Sequence, residues 1–441
     1  MSNPFPTMRS FLFLPLPFIA IAALSAADWP QWRGTTRDGV WNETGIIQSF
    51  STPALKPLWS TPIGAGYSGP TVAGDHVLVT DHVAQPEEQE RVHCLDRLTG
   101  KVLWTHAYPC VYRDFGYSLG PRAAVTIADG RAFALGAMGN LHGIDVATGR
   151  VLWAHDLKTE FNADIPIWGI AAAPLVVGDA VIVQAAGRPD ACVIAFDAAT
   201  GKEKWRALDG KSSYSAPRMI KQGRRDVVLA WTAFWIATLD PATGAVVWKM
   251  PFKPTKMPIN VPDAVLDERG EHLFLTSFYD GSFYYQMKPG TAPPDLLWQR
   301  HGISERKTDA LHCMIMTPLL RDGHIYGIDS YGEFRCLNAA TGDRVWSDQT
   351  LLENGRWATA YFVQNGDRTW ITTEKGEIVI AKLTPSGFEL ISSAQLITPT
   401  TELRGRNHPI VWSHPAYAQR CVFARNDREI ICVSLADEDA K

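Results

Sequence analysis

The chain has 441 residues, of which 10% are aromatic and 20% are charged, and its formal net charge is −4 at pH 7. This small negative charge gives no electrostatic basis for binding nucleic acid, so no nucleic-acid partner is expected. The length allows several small domains, but an internal repeat accounts for nearly everything after about residue 55.

Residues 1–27 are predicted to be an export signal. Arg9 gives a weakly positive start, residues 11–23 are mostly apolar, and small residues follow them. Pro15 and Pro17 interrupt the apolar run, which is also too short to span a membrane comfortably. We therefore expect an exported protein, periplasmic or extracellular, that has no transmembrane segment. Residues 28–57 are predicted to be an N-terminal extension.

One phrase, Asp-x-x-Thr-Gly-x-x-x-Trp, recurs at roughly 45–50 residues, a spacing typical of β-propellers with one blade per repeat. The copies end at Trp104, Trp153, Trp205, Trp248 and, with Asn in the first place, at Trp346. Asp accepts backbone N–H groups in a tight turn, Gly supplies a positive φ, and Trp provides apolar surface between neighbouring blades. These residues are expected to build blades and are assigned no chemistry.

The number of blades is counted from two independent markers. The Trp column continues at Trp59 and Trp298, and a degenerate unit carries Phe388 or Leu390 in its place. A small residue and Pro open the first strand of each unit, at Pro70, Pro121, Pro174, Pro217, Pro262, Pro318 and Pro415, with Ala360 in the remaining slot. Both markers indicate eight cycles.

The two ends of the repeat region complete each other. Residues 428–435 look like a third strand without a fourth, and Trp59 lies in a fourth strand without a third. Residues 58–441 are therefore predicted to form an all-β, eight-bladed β-propeller of four-stranded antiparallel blades, closed by pairing of the N- and C-terminal strands. Seven blades is the alternative, and it leaves one cycle unexplained.

These repeats resemble those of the quinoprotein-type propellers, named for pyrroloquinoline quinone (PQQ). Residues 28–34, Asp-Trp-Pro-Gln-Trp-Arg-Gly, resemble the start of the secreted PQQ-like repeat proteins of planctomycete-type bacteria, and residues 326–334 support the same resemblance. The resemblance covers the whole mature chain. It implies the propeller fold, which serves both dehydrogenases and non-catalytic scaffolds.

The catalytic members of that superfamily carry adjacent cysteines beside the quinone and a calcium ion next to a catalytic Asp. None of the seven cysteines here is adjacent to another, and there is no Cys-x-x-Cys-His haem motif. Cys94, Cys336 and Cys432 occupy one strand position in three blades, and the sequence does not pair the other four. No spacing of Cys or His indicates a metal site.

Ligands of propellers usually bind at the mouth of the central channel, where loops lead into the innermost strands. The Pro markers locate these loops, and the candidate binding residues beside them are Tyr67, Arg122, Trp168, Tyr214, His312, Trp357, His408, Trp412 and His414. Aromatic rings and Arg suit a flat anionic ligand, a sugar ring or a peptide. The alternative is that these side chains pack on one another and plug the channel.

The expected function is that of a secreted, non-enzymatic scaffold that binds a protein or polysaccharide partner at the channel mouth. We expect a monomer and assign neither catalytic residues nor a cofactor. The alternative is a PQQ- and Ca²⁺-dependent dehydrogenase of alcohols or sugars, in which an Asp or His accepts the hydroxyl proton. No Ser-His-Asp order, phosphate-binding loop or paired-carboxylate motif favours hydrolysis or phosphoryl transfer.

Overall fold

The computed structural model describes residues 27–113 and 116–437. These residues form 32 strands in eight four-stranded antiparallel sheets, together with one four-residue helix. The prediction of an eight-bladed propeller is confirmed, and the seven-bladed alternative is wrong. No helix among the described residues has the length and apolar character needed to cross a membrane. Apart from Ala27, the predicted export signal lies outside the described residues.

The strands are numbered along the chain from β1 (Trp59–Pro62), and blades 1 to 7 each use four consecutive strands after it. Blade 1 comprises β2 (Thr71–Ala73), β3 (His76–Val83), β4 (Gln89–Asp96) and β5 (Val102–Pro109), and blade 2 comprises β6 (Thr126–Ala128), β7 (Arg131–Leu135), β8 (Asn140–Asp145) and β9 (Val151–Asp156). Blade 3 comprises β10 (Leu175–Val177), β11 (Ala180–Gly187), β12 (Ala191–Asp197) and β13 (Glu203–Ala207), and blade 4 comprises β14 (Arg218–Gln222), β15 (Arg225–Trp231), β16 (Trp235–Leu239) and β17 (Val246–Pro251). The helix, α1 (Leu157–Glu160), follows β9.

The second half of the ring repeats this arrangement. Blades 5 to 8 comprise β18 (Val265–Leu266), β19 (His272–Ser277), β20 (Gly281–Gln286) and β21 (Asp295–Arg300); β22 (Leu319–Arg321), β23 (His324–Ile328), β24 (Phe334–Asn338) and β25 (Arg344–Asp348); β26 (Ala360–Asn365), β27 (Arg368–Thr373), β28 (Glu377–Thr384) and β29 (Gly387–Gln395); and β30 (Ala416–Ala418), β31 (Cys421–Arg425) and β32 (Glu429–Ser434) with β1. Blade 8 closes the ring because β1 pairs antiparallel with β32, Trp59 opposite Cys432. The predicted closure by the two chain ends is confirmed.

The repeated phrase joins each blade to the next. In blade 2, the Thr148 backbone N–H and hydroxyl donate to Asp145 Oδ1 at 2.9 and 2.7 Å, which closes the turn. Trp104, in the outer strand of blade 1, donates its indole N–H to the carbonyl oxygen of Val146 at 2.7 Å. Gly149 has a φ of 72°, and a Cβ there would lie 2.6 Å from the Trp104 ring. Gly is therefore required both by the turn and by the ring packed over it.

The extension preceding β1 returns to the ring at several points. The backbone of Trp29 exchanges two 2.9 Å hydrogen bonds with that of Val72 in blade 1. The backbone N–H of Trp41 donates to the carbonyl oxygen of Gln364 in blade 7 at 2.7 Å. Both Trp side chains are almost completely buried, and Trp41 packs edge-on against Trp370 with ring centroids 5.5 Å apart. This segment is therefore part of the hydrophobic core. All seven cysteines are buried free thiols.

Candidate functional site

The loops that lead into the innermost strands meet at one end of the central channel, here called the mouth. They enclose a cavity of about 150 Å³ at the mouth, here called the mouth cavity. Its lining includes eight Trp and Tyr side chains, which are Trp32, Tyr67, Tyr117, Trp168, Tyr214, Trp357, Tyr361 and Trp412. Small and aliphatic side chains fill most of the remaining wall. The mouth cavity is therefore apolar and presents mainly aromatic rings.

Seven of the nine residues predicted from the sequence surround this one cavity. They are Tyr67, Arg122, Trp168, Tyr214, Trp357, Trp412 and His414, drawn from loops of six different blades. The loops belong to separate repeats, so only closure of the ring brings them together. The Pro markers thus identify loops that meet around one cavity, although they say nothing of what binds there.

The other two predicted residues lie outside the mouth cavity. His312 is almost completely buried, accepts the Gly302 backbone N–H on Nε2 at 3.0 Å, and pairs Nδ1 with the Phe278 carbonyl oxygen at 3.0 Å. His408 lies in a surface loop with its Nε2 3.5 Å from Glu353. His312 therefore holds a loop in place. Neither His is available to a ligand in the mouth cavity.

Tyr117 is the central ring of the aromatic cluster. Its centroid lies 5.5 Å from that of Trp357, 5.7 Å from that of Trp412 and 6.2 Å from that of Trp168. Edge-to-face and tilted contacts at these distances are favourable. The rings partly fill the mouth, as the plugging alternative expects, but the mouth cavity remains between them.

Two of these aromatic residues have an unusual backbone. Tyr117 has a φ of 58° and Trp357 a φ of 66°, both in the left-handed region. Bulky residues seldom adopt this conformation, which costs about 1–3 kcal/mol when the surroundings impose it. Such strain is concentrated at binding and active sites. The conformation directs both rings toward the mouth cavity.

Arg122 is the cation of the site, and it organises the loop before β6. Its guanidinium donates to the carbonyl oxygens of Gly116, at 2.9 Å, and of Tyr117 and Gly120. It also lies 5.0 Å from the ring centroid of Tyr67, a cation–π contact. Burial lowers its pKa, and the nearby Tyr112, Tyr67 and other groups partly counteract this. Arg122 thus fixes the backbone that carries Tyr117 while adding positive charge to the wall.

His414 is buried in the wall and fully hydrogen-bonded. Its Nε2 accepts the Gly69 N–H at 3.1 Å, and its Nδ1 lies 3.3 Å from the Pro415 carbonyl oxygen. Burial lowers the pKa of His414 to about 4, so the ring is neutral at pH 7. Since its basic nitrogen already accepts a hydrogen bond from the backbone, it is poorly placed to act as a general base.

Asp263 is the single carboxylate that lines the mouth cavity among residues 27–113 and 116–437. Its Oδ2 accepts the Trp32 indole N–H at 2.5 Å, and its Oδ1 accepts the Ala216 N–H at 2.8 Å. Arg33 lies 3.9 Å from the same carboxylate. Both oxygens are engaged, and the surrounding charge is positive.

The residues present do not fit a PQQ–calcium group. Ca²⁺ takes about six to eight oxygen ligands, whereas the mouth cavity offers one carboxylate already bonded to N–H donors and close to Arg33. A group of Asp267, Glu271 and His272 could offer metal ligands, but it lies at the turn between β18 and β19 and lines a different cavity. The mouth cavity is also smaller than the roughly 300–1,000 Å³ usual for ligand pockets.

The nine candidates do not include Tyr117 and Asp263, although both lie beside Pro markers. Sequence reasoning missed Trp32 and Tyr361 altogether. Trp32 belongs to the extension, whose entry into the channel has no periodic signal. Tyr361 directly follows Ala360, the slot where the Pro marker is absent. In that blade the strand begins one residue before the Tyr, so its ring reaches the wall from a strand and not from a loop. The absence of Pro at position 360 was the one feature of the sequence that could have drawn attention to Tyr361.

The fold and the mouth cavity together define an eight-bladed β-propeller with an aromatic site at one end of its channel. The family model described as outer membrane protein assembly factor BamB, a PQQ-repeat family, matches residues 88–348 and 238–439. The chain belongs to this family.

Three solved structures share the fold. BamB from Moraxella catarrhalis has a TM-score of 0.57 and 15% identity, with 86% of this chain and 100% of that chain covered. Quinohemoprotein alcohol dehydrogenase ADHIIG from Pseudomonas putida HK5 has a TM-score of 0.60 and 13% identity, with coverages of 93% and 80%. The computationally designed Ika8 protein has a TM-score of 0.52 and 12% identity, with coverages of 85% and 97%. These likenesses show the fold alone. No curated protein sequence matches the chain.

Proposed function

We propose that this protein is an exported, non-enzymatic scaffold that binds a partner protein at the mouth and receives one of its aromatic side chains in the mouth cavity. The observation that carries the proposal is a cavity walled by aromatic rings whose carboxylate and imidazole are already hydrogen-bonded. An apolar cavity of about 150 Å³ in another protein binds benzene. One phenyl or similar side chain is thus the size of group expected.

The surface around the mouth supports a protein partner over a polysaccharide. Val111, Ile167, Met257 and Ile303 lie in the loops that lead into innermost strands, and all four are exposed, Ile303 by 91%. They stand on the same set of loops as the lining of the mouth cavity, and exposed apolar surface beside a cavity favours a protein partner. A polysaccharide would leave these aliphatic side chains in water.

A polar rim completes the surface. The Arg356 guanidinium lies 4.5 Å from the Trp357 ring centroid, and its Nε donates to Glu305 at 2.9 Å. Apolar centres surrounded by charged rims are typical of protein interfaces, because the rim stays partly hydrated while the centre excludes water. Arg356 is thus positioned to cover an inserted ring, while its ion pair with Glu305 keeps the rim polar.

Removing one wall of the mouth cavity is expected to weaken the binding of an aromatic probe. The Trp357→Ala variant should bind N-acetyl-phenylalaninamide about tenfold more weakly than the wild type, since it loses the aromatic contact. Ligand-observed NMR titration measures both affinities. Trp235→Ala, which removes a half-buried indole under Lys249 on the outside of blade 4, is the matched control and should bind like the wild type.

The same titration, with other probes, distinguishes the scaffold from the dehydrogenase alternative. Cellobiose, and PQQ with Ca²⁺, serve as further probes, followed by a dye-reduction assay with alcohols and sugars. The expected result is neither PQQ binding nor turnover. Saturable PQQ binding with alcohol-dependent dye reduction that Trp357→Ala abolishes would overturn the proposal.

A photo-cross-linker at the rim is expected to capture the partner protein in cells. Benzoylphenylalanine in place of Ile303 should give a discrete adduct in the native host, and the Trp357→Ala background should reduce it roughly thirtyfold if the ring is a binding hot spot. Leu390, 55% exposed on the outer strand of blade 7, is the matched control position. Equal adducts at both positions, or an adduct indifferent to Trp357→Ala, would contradict a mouth-specific partner.

A further inference from the structure

We propose that Trp32, carried into the channel by the N-terminal extension, is the floor of the mouth cavity and determines the size of the group that enters. This inference rests on the proposed function, because it concerns the same cavity. It assigns a specificity-determining role to a residue outside the repeats.

The extension is anchored on both sides of Trp32. Trp29 pairs with Val72 in blade 1, and Trp41 is bonded to Gln364 in blade 7. Between these anchors the chain turns inside the channel, where Arg37 donates to the Pro217 carbonyl oxygen at 2.8 Å, on the opposite side of the ring. A turn held from opposite sides of the ring cannot leave the channel without breaking these bonds.

The indole of Trp32 is held by three blades. Its N–H donates to Asp263, which precedes blade 5, at 2.5 Å. Its ring meets that of His414, which precedes blade 8, edge-on at 4.5 Å, and that of Tyr361 in blade 7 at 6.4 Å. These contacts orient the indole and hold it between Asp263 on one side of the channel and His414 and Tyr361 on the other.

Trp32 separates the mouth cavity from a second one deeper in the channel. The deeper cavity has a volume of about 20 Å³ and is lined by Trp29, Arg33 and Phe362 among others. Trp32, Tyr361 and His414 line both cavities. Tyr361 and His414 belong to the blades, so Trp32 is the partition that the extension contributes. Its position limits how far a guest can enter.

Removing the indole should join the two cavities and shift their preference toward larger groups. The probes are N-acetyl-phenylalaninamide, with one ring, and N-acetyl-2-naphthylalaninamide, with two fused rings. The mature wild-type protein should prefer the one-ring probe by about tenfold, and Trp32→Ala should prefer the two-ring probe by about tenfold. Trp235→Ala, which also loses an indole, should keep the wild-type preference.

A second variant covers the case in which Trp32→Ala does not fold. Trp32→Phe keeps a smaller ring in the floor and should raise the affinity for the two-ring probe by a few-fold, roughly three- to fivefold. A folded Trp32→Ala variant with the wild-type preference would overturn the inference. So would two separate cavities in its crystal structure.

Failure of the proposed function is read out separately. If the wild type binds neither probe, the mouth cavity is no binding site for such rings, and the proposed function is overturned together with the selectivity. If the wild type binds the one-ring probe but Trp32→Ala keeps the same selectivity, the proposed function stands and the role of Trp32 is overturned. A reversed preference in Trp32→Ala supports both.

Discussion

Replacement of Arg37 by Met is expected to lower the free energy of unfolding by about 3 kcal/mol. Arg37 is 3% exposed, and it donates to the carbonyl oxygens of Ala173 at 3.3 Å, Pro217 at 2.8 Å and Pro174. Each buried acceptor left without a donor costs about 1–3 kcal/mol, and the carbonyl oxygens of Ala173 and Pro217 lose this donor at once. The Pro174 carbonyl oxygen keeps the hydroxyl of Thr126 as a donor at 2.5 Å.

An opposing effect keeps the expected loss near the lower end of that sum. Burial lowers the pKa of Arg37 to about 10, while Asp263 raises it, so the guanidinium is charged at pH 7 and its dehydration is costly. Met removes that cost together with the hydrogen bonds. With an unfolding entropy of about 2.1 cal/mol/K per residue, 3 kcal/mol corresponds to about 3 °C in a chain of this length.

Differential scanning calorimetry of the mature protein measures this loss. Arg150→Met, at an exposed Arg in the turn of blade 2, is the matched control and should unfold like the wild type. Arg37→Lys should fall between the two, since it keeps the charge but loses the planar fork that reaches several carbonyl oxygens at once. An unfolding temperature in Arg37→Met equal to that of the control would show that the hydrogen bonds of Arg37 contribute nothing to the stability of the ring.

The blades were predictable because their determinants are local. Asp145, Thr148 and Gly149 lie within five residues and form one turn, so their pattern is visible in the sequence. The contact of Gly149 with the Trp104 ring was not predictable in the same way, because it joins two blades. The repeat indicated that Gly149 closes a turn. The second role of Gly149, which is to leave room for the Trp104 ring, appears only when neighbouring blades are packed.

The site was predictable only where the repeat leads to it. Tyr67, Trp168 and Trp412 precede innermost strands, so a marker for those strands also locates the mouth. Trp32 lies in no repeat, and its partner Asp263 is 231 residues away in the sequence. His312 was selected by the same marker, since it precedes Pro318. Its loop folds back, however, so that its ring accepts a hydrogen bond from Gly302 within the loop. Loop conformation, unlike strand position, is not set by the repeat.

Acidification is expected to destabilise the fold well above the pH at which carboxylates titrate. His142 in blade 2 is 7% exposed and packs against His106, with ring centroids 4.8 Å apart, and against Tyr108 at 4.3 Å. Burial, and secondarily the charge of His106, lower the pKa of His142 to about 3. Burial lowers that of His414 to about 4.

Both groups shift stability in the same direction. Their folded-state pKa values lie below the unfolded value of about 6.5, so between pH 6.5 and pH 4 the unfolded chain binds protons that the folded chain does not. Protonation then favours unfolding, and stability falls as the pH falls through this window. At pH 4.5, two pH units below the unfolded pKa at about 1.4 kcal/mol per unit, the two residues together remove about 5 kcal/mol.

Urea unfolding at intervals between pH 7 and pH 4.5 measures this loss. His142→Gln replaces the ring with a side chain that does not titrate, so it should remove the share that His142 contributes, about 2.5 kcal/mol at pH 4.5, whatever its stability at pH 7. The exposed His301→Gln variant is the control and should retain the wild-type slope. A wild-type stability that stays constant down to pH 5, or a slope unchanged by His142→Gln, would contradict the assignment of the acid sensitivity to these buried rings. A loss that begins only below pH 4 would instead assign it to carboxylates, since paired carboxylates destabilise the fold when they are protonated.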